Sequence, residues 1–500
     1  MVMQTSIKSV AFAEELVTTE LPAPAKSAKS LRRFPVTEYV VRPSLFSYQD
    51  DLGMTPASQT ESEKEFTKLE AASPNFSGFY CAFWVMMCTS ILRPLAYKWH
   101  NNESLRELSI PRLSLTRLSE LTACEIVLNG ITLSCVYIQK LFASGTISWT
   151  TRGWIYQSFF ELAFVVGWIT WLVYIDWPWP HSIFFVLHIV VHLMKIHSYS
   201  FYNGWLSSVY RQLRALPSNK SDELRAALIL ELTSPLGNVV YPANLTLANS
   251  WDWLLVPSVS YDLEFPRTPA VRRHVMLNRT LALIGAIVIF YLHVEFQIAP
   301  VIAQAQAEYG PIKDDSIAVA GLIIACALQI MLPMMISVLM AFFIIWELVL
   351  NLFAEITRFG DRLFYEDWWN SCSQLEFARR WNTVVYRFLW RHIYRPVRSP
   401  LRSITAENMN KPPPKSTMSQ RAKATFMTFL VSSVFHEVVA STSTRKFKVA
   451  LFCLQMSQIG MIWMQELEPI KRHRTVGVVT GWSTLTFGLS LNLAMYLVTM

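Results

Sequence analysis

Nine runs of mostly apolar residues limit what this chain can fold into. They cover roughly 78–97, 121–142, 155–177, 181–203, 278–302, 317–352, 424–442, 447–465 and 476–499. Most approach the roughly 20 residues that carry an α-helix across a bilayer. In hydrocarbon a segment must satisfy its own backbone hydrogen bonds, so runs of this length predict helices. The pattern predicts an all-α, polytopic membrane protein with about nine transmembrane helices. Composition agrees: 52% of the 500 residues are hydrophobic and only 16% are charged, unlike a soluble multidomain chain. Glu125, Glu161 and several histidines interrupt the runs. Some of these helices are therefore expected to face protein or a cavity rather than lipid.

The 317–352 run decides the topology. As one helix it would be about 54 Å long, generous for one crossing and short for two with a turn. Counted once, it gives nine spans and puts the two long loops, 204–277 and 353–423, on the same side. Both loops are rich in Lys and Arg, so the positive-inside rule places them in the cytosol. Arg106, Arg112 and Arg117 fall on the opposite side in this scheme.

Residues 1–76 are polar and mixed in charge, with no continuous apolar stretch near Met1, and read as a disordered cytosolic tail. The remainder, 77–500, reads as one membrane domain. A net charge of +8, scattered between apolar runs with no nucleic-acid module, favours membrane lipids and an anionic substrate over nucleic acid. The seven cysteines show no CxxC spacing and read as small buried hydrophobes, not as a zinc site or disulfide framework. His188 and His192 form an HxxxH pair, yet no further histidine box accompanies them, so no metal is expected.

One stretch is neither span nor ordinary loop. Phe364, Tyr365, Trp368 and Trp369 crowd around Glu366, Asp367 and Asn370. From Phe377 a helical period sets in, with Phe377, Trp381, Val384, Val385 and Phe388 predicted on one face and Asn382 at its flank. The arginines Arg379, Arg380, Arg387 and Arg391 fall largely off that face. On pattern alone, such a basic amphipathic helix fits an interfacial anchor as well as a substrate site.

FYEDWWN (364–370) resembles the FYxDWWN signature of the sterol and diacylglycerol O-acyltransferases, a branch of the membrane-bound O-acyltransferases. In that family the signature is associated with acyl-CoA binding. The resemblance continues through Trp381-Asn382, SSVFHE (432–437) and YPANLTLANSWDWLLVPSVSYDLEFPRTPAVR (241–272). It covers most of the chain after about Leu193. MKIHSYSFYNGWL (194–206) and ATFMTFLVSSVFHE (424–437) resemble the fungal sterol O-acyltransferases more than the diacylglycerol enzymes.

The resemblance implies an intramembrane reaction chamber in the endoplasmic reticulum membrane and a homo-oligomer, dimer or tetramer. It implies acyl-CoA as co-substrate, with no other cofactor, and a sterol or other lipid alcohol as acceptor. An alcohol is a weak nucleophile, so a general base must take its proton as attack develops. The resemblance makes His436 that base and matches Asn382 to a position that could hold the thioester carbonyl or the CoA arm. It places Trp381 and Ser432 beside the same tunnel and assigns Phe364, Tyr365, Asp367, Trp368, Trp369 and Asn370 to substrate binding. Ser432 lies one turn before His436, but no GxSxG elbow surrounds it, which favours direct transfer over an acyl-serine. His436-Glu437 is not a zincin motif, because Ala440 stands where the second histidine must be. CoA is expected on the cytosolic side near Arg379, Arg380, Arg387, Arg391 and Arg395. The same motifs fit a diacylglycerol acyltransferase or an enzyme acylating a specialised-metabolite alcohol, and a silent lipid-binding scaffold is the reading from another class.

Overall fold

The computed structural model describes residues 77–104, 108–217, 222–399, 416–465, 467 and 473–499. The expected N-terminal tail and most of the Pro-rich linker, 400–415, lie outside these residues. Each of the nine apolar runs forms a long helix: α1 Ser77–His100, α2 Leu118–Ala143, α3 Trp149–Ile175, α4 Trp179–Ala215, α5 Arg273–Ile312, α6 Ser316–Ile356, α7 Met418–Thr444, α8 Ala450–Gln465 and α9 Arg474–Leu497. Six of them, α2 to α7, are long and apolar enough by length and composition to cross a membrane.

Helix α6 settles how the longest run folds. It is unbroken from Ser316 to Ile356, with Pro333 inside it. Beside the proline, the carbonyl of Pro333 accepts from Nε2 of His293 at 2.9 Å and from Oγ of Ser337 at 3.0 Å. The bond from His293 ties α6 to α5 at this level.

Helix α4 is the axis of the fold. More than half of its apolar window is buried, and α2, α3 and α7 pack along it. Helices α3 and α5 present most of their apolar residues outward, as lipid-facing helices do. The intramembrane charges find partners: Glu125 meets Nδ1 of His188 at 2.9 Å, and Glu161 meets Nδ1 of His197 at the same distance. His192 bonds Oγ1 of Thr132 at 2.7 Å, so the HxxxH pair is taken up by helix packing. Arg117 bonds Glu120 and the carbonyls of Ile175 and Asp176 at the end of α3. Its place in the chain is explained by that capping.

The two long loops are tied to each other. The N–H of Thr268 donates to the carbonyl of Arg358 at 2.7 Å, and that of Gly360 to Pro266 at 2.9 Å. Arg391, buried, reaches Asp262 at 2.8 Å and the carbonyl of Tyr261 at 2.6 Å. Glu355 at the end of α6 takes both Arg272 (2.7 Å) and Arg362 (2.8 Å). Buried pairs of this kind are sensitive to loss of one partner, at about 3–5 kcal/mol.

In the sequence Trp251, Trp253, Leu254, Leu255 and Val256 read as a stretch for the membrane interface, and the structure corrects this. Trp253, Leu254 and Val256 are buried in the protein rather than lying in the interface, because the helix Leu247–Leu255 and its cap turn them inward, while Trp251 is half-exposed and Leu255 partly so. Lys195 of α4 holds this turn by donating to the carbonyls of Trp253, Val256 and Ser258 at 2.8–3.0 Å.

Loops that bond each other directly share one side of the membrane. Epitopes at Ser218 and Pro413 are therefore expected to be equally accessible to protease in sealed microsomes. Opposite accessibility would contradict the single passage of α6.

Candidate active site

Construction starts at the aromatic-acidic knot. After α6 ends at Ile356 the backbone runs irregularly to Ser373, broken only by a single turn at Trp368–Asn370. Irregular backbone must still be paired, and here the following segment pairs it. The N–H of Glu366 donates to Arg380 O at 2.8 Å, and that of Thr383 to Phe364 O at 3.0 Å. The hydroxyl of Thr383 donates to Leu363 O at 2.6 Å. Tyr365 is fully buried, and its hydroxyl donates to Oε1 of Glu347 at 2.5 Å. Glu347 sits in a π-helical segment of α6, Phe343–Val349, which also carries Trp346. Such segments re-aim side chains, and this one serves the knot and the chamber together.

The expected single amphipathic helix after Phe377 is two short helices, Gln374–Arg380 and Thr383–Leu389, broken at Trp381-Asn382. Asn382 is the N-cap of the second: its Oδ1 accepts from the N–H of Val385 at 3.1 Å. The apolar period survives the break, which is why the pattern reads as continuous. Nδ2 of Asn382 has no hydrogen-bond partner among the described residues.

Both pieces border a cavity of about 660 Å³ between α6, α7, α8 and α9. Its walls include Phe342 and Trp346 from α6, and Trp368 and Trp381 from the knot and the break. The rings of Phe377 and Trp381 stack at 5.9 Å, and Trp346 tilts against Trp381 at 5.5 Å. Ser432 and His436 of α7 border the same space. Nδ1 of His436 lies 2.8 Å from the carbonyl of Ser432. A carbonyl can only accept, so Nδ1 carries the proton and Nε2 keeps its lone pair. Nε2 has no partner among the described residues. The hydroxyl of Ser432 is 3.5 Å from Nδ1, on the protonated side of the ring, where no base is available to activate it.

Glu437 does not orient His436. Its carboxylate takes Tyr496 (2.6 Å), Ser441 (2.6 Å) and the N–H groups of Val449 and Phe452 at the start of α8.

The cavity thus gathers Trp368, Trp381, Asn382, Ser432 and His436. The other residues assigned to substrate binding do not border it. Phe364 and Tyr365 are core, Asp367 pairs with Arg380 at 3.0 Å, Trp369 accepts from the indole of Trp482 through its carbonyl, and Asn370 is exposed. Tyr365 and Trp369 back the wall through ring contacts with Phe342 and Trp368.

The arginines sort in the same way. Arg380 is held by Asp367 and Glu376, Arg387 by Asp361, and Arg391 by Asp262. Arg395 lies against the ring of Trp390. Arg379 has no ion-pair partner among the described residues. It borders both the chamber and a second, polar pocket of about 630 Å³ lined by Glu366, Ser373, Thr383 and Arg387. Arg398, which the sequence did not single out, also borders the chamber. Behind the second short helix, His392 bonds the hydroxyl of Ser198 at 3.0 Å. Burial, then the neighbouring His197 and Arg391, hold its pKa well below the usual imidazole value.

The cap and the free amide of Asn382 can be separated. Asn382→Ala removes both and is expected to cost about 1 kcal/mol of stability as well as activity. Asn382→Asp keeps a good cap but loses the N–H donors, so turnover is expected to fall while the melting temperature in detergent stays near wild type. Full activity in the Asp variant would make the residue purely structural.

The family description "MBOAT, membrane-bound O-acyltransferase family" matches residues 191–409, a segment that contains the knot and Asn382. The chain is 32% identical over 432 residues to the probable sterol O-acyltransferase 2 of Schizosaccharomyces pombe, covering 85% of this chain and 87% of that protein. It is 29% identical over 471 residues to the sterol O-acyltransferase 2 of Saccharomyces cerevisiae, covering 88% and 70%. Diacylglycerol O-acyltransferase 1 of Dictyostelium discoideum is 30% identical over 320 residues, covering 64% and 45%.

Proposed function

Because this chain belongs to the membrane-bound O-acyltransferase family, we propose that its chamber transfers a fatty acyl group from acyl-CoA to the hydroxyl of a sterol. One observation carries the reading: an imidazole with a free Nε2 and an amide with a free Nδ2 border a single, largely apolar cavity.

In this reading the alcohol oxygen attacks the thioester carbon while Nε2 of His436 takes its proton. Negative charge develops on the carbonyl oxygen, where the Nδ2–H groups of Asn382 donate. Collapse breaks the carbon–sulfur bond, and the imidazolium returns the proton to sulfur. The products are a steryl ester and CoA. The tautomer set by the carbonyl of Ser432 serves this step, since it holds the basic nitrogen away from its own helix. The phosphates of CoA belong at the polar end, with Arg379 and Arg398, while the acyl chain and sterol occupy the apolar walls. The endoplasmic reticulum is the proposed membrane.

Diacylglycerol is the second acceptor to consider, because the similarity to the Dictyostelium protein extends over 320 residues. Its sequence coverage is smaller than that of the two yeast proteins, and the sterol reading is preferred.

His436→Ala is expected to lower turnover by roughly 10²–10⁴ with insertion and folding intact. Turnover within a few-fold of wild type would remove His436 from the mechanism.

A further inference from the structure

Two amide side chains of α8 have no place in the reaction as described so far. Gln455 and Gln458 stand on one face of α8 and both border the cavity that contains His436. Both are half-buried, and neither has a hydrogen-bond partner among the described residues. An amide that faces an apolar space without a partner is costly, so such groups are normally satisfied by something that enters the space.

The register of α8 against α7 shows which of them faces the reacting atoms. Glu437, next in sequence to His436, accepts from the N–H groups of Val449 at 3.1 Å and Phe452 at 3.0 Å. Together α7 and α8 form a helical hairpin, which runs antiparallel from that pin. Three residues beyond Phe452, about 4.5 Å of rise, match three residues back from Glu437. Gln455 is thus level with the turn between His436 and Ser432, and Gln458 lies about one turn further from the pin.

A lipid alcohol brings one hydroxyl to this place. Its proton goes to Nε2 of His436, and its oxygen still needs a donor to replace the water left behind. Three hydroxyls on the chamber walls are already engaged. Thr428 donates to Ala424 O at 2.7 Å and Thr484 to Thr480 O at 2.8 Å, while Ser432 packs against the protonated side of the imidazole. The amide of Asn382 is directed at the thioester.

We propose that Gln455 orients the acceptor: its amide N–H donates to the oxygen of the lipid alcohol and turns that oxygen's proton toward His436. The proposal rests on His436 as the base. Gln455 touches only the acceptor, so it governs the use of the alcohol and leaves acyl-CoA binding alone.

The test uses the purified full-length enzyme with Gln455→Leu and Gln455→Glu, the second keeping nearly the same size but offering no N–H. Steady-state kinetics are measured with acyl-CoA and the lipid alcohol that the wild type esterifies, sterol first and diacylglycerol if sterol is refused. Both variants are expected to lose roughly tenfold in kcat/KM for the alcohol, the loss of about one hydrogen bond, with KM for acyl-CoA changed less than about twofold. A Glu variant with wild-type efficiency overturns the proposal, as does an equal loss toward both substrates or no loss in the Leu variant. Melting temperature identifies a variant that has merely lost its fold, and the near-isosteric Glu form then decides. A wild type that refuses sterol but esterifies diacylglycerol overturns the acceptor proposed above and leaves Gln455 to be judged on that alcohol. One that esterifies neither removes the reading of the chamber and Gln455 with it.

Discussion

Buried peptide groups cannot be left unpaired, in hydrocarbon or in protein, and the rest of the architecture depends on how this chain meets that demand. The long helices satisfy it internally. The stretch from Thr357 to Ser373 cannot, because it is irregular, and it persists only where protein supplies the partners. Those partners come from the residues just after it: Arg380 takes the N–H of Glu366, and Thr383 bonds Phe364 and Leu363. Tyr365 adds an anchor to Glu347 within α6. The bonds that hold the knot also fix the break at Trp381-Asn382, and with it one wall of the chamber.

A second layer of support comes from the loops. Arg391–Asp262 and the Arg272–Glu355–Arg362 triad join segments that are far apart in sequence, and all are well sheltered from water. Ionic groups so placed hold a geometry rather than add much net stability. Here they clamp the segments flanking Asn382 against the 204–277 loop and α6, while α7 brings His436 from the other side. The chamber is therefore a junction, with its chemical groups supplied by elements that have no local reason to meet.

Much of this was legible in the sequence, because bilayer thickness sets the length of the runs and all nine became long helices. His436 stood out as an ionisable group within a span, and Asn382 and FYEDWWN through family resemblance. The break at Asn382 was not legible: Phe377, Trp381, Val384 and Val385 keep the helical period across it. A signal was present, since Asn followed by Thr-Val-Val is a fair N-cap and poor helix interior. The division of the signature into wall and buttress was hidden too, as it depends on which faces meet α6 and α9. Gln455 and Gln458 were missed among apolar neighbours, although two amides at i, i+3 inside an apolar run are themselves a flag. Most arginines expected to meet CoA turned out to be committed to carboxylates, because charge pattern along a chain does not show ion pairs made across it.

The most direct test of the account is the neutral-lipid content of a host that lacks both steryl esters and triacylglycerol, before and after it receives this chain. The account predicts that steryl esters reappear and that a His436→Ala form, present at equal level, restores none. Triacylglycerol alone, or no ester of either kind from a well-expressed wild-type chain, would contradict it.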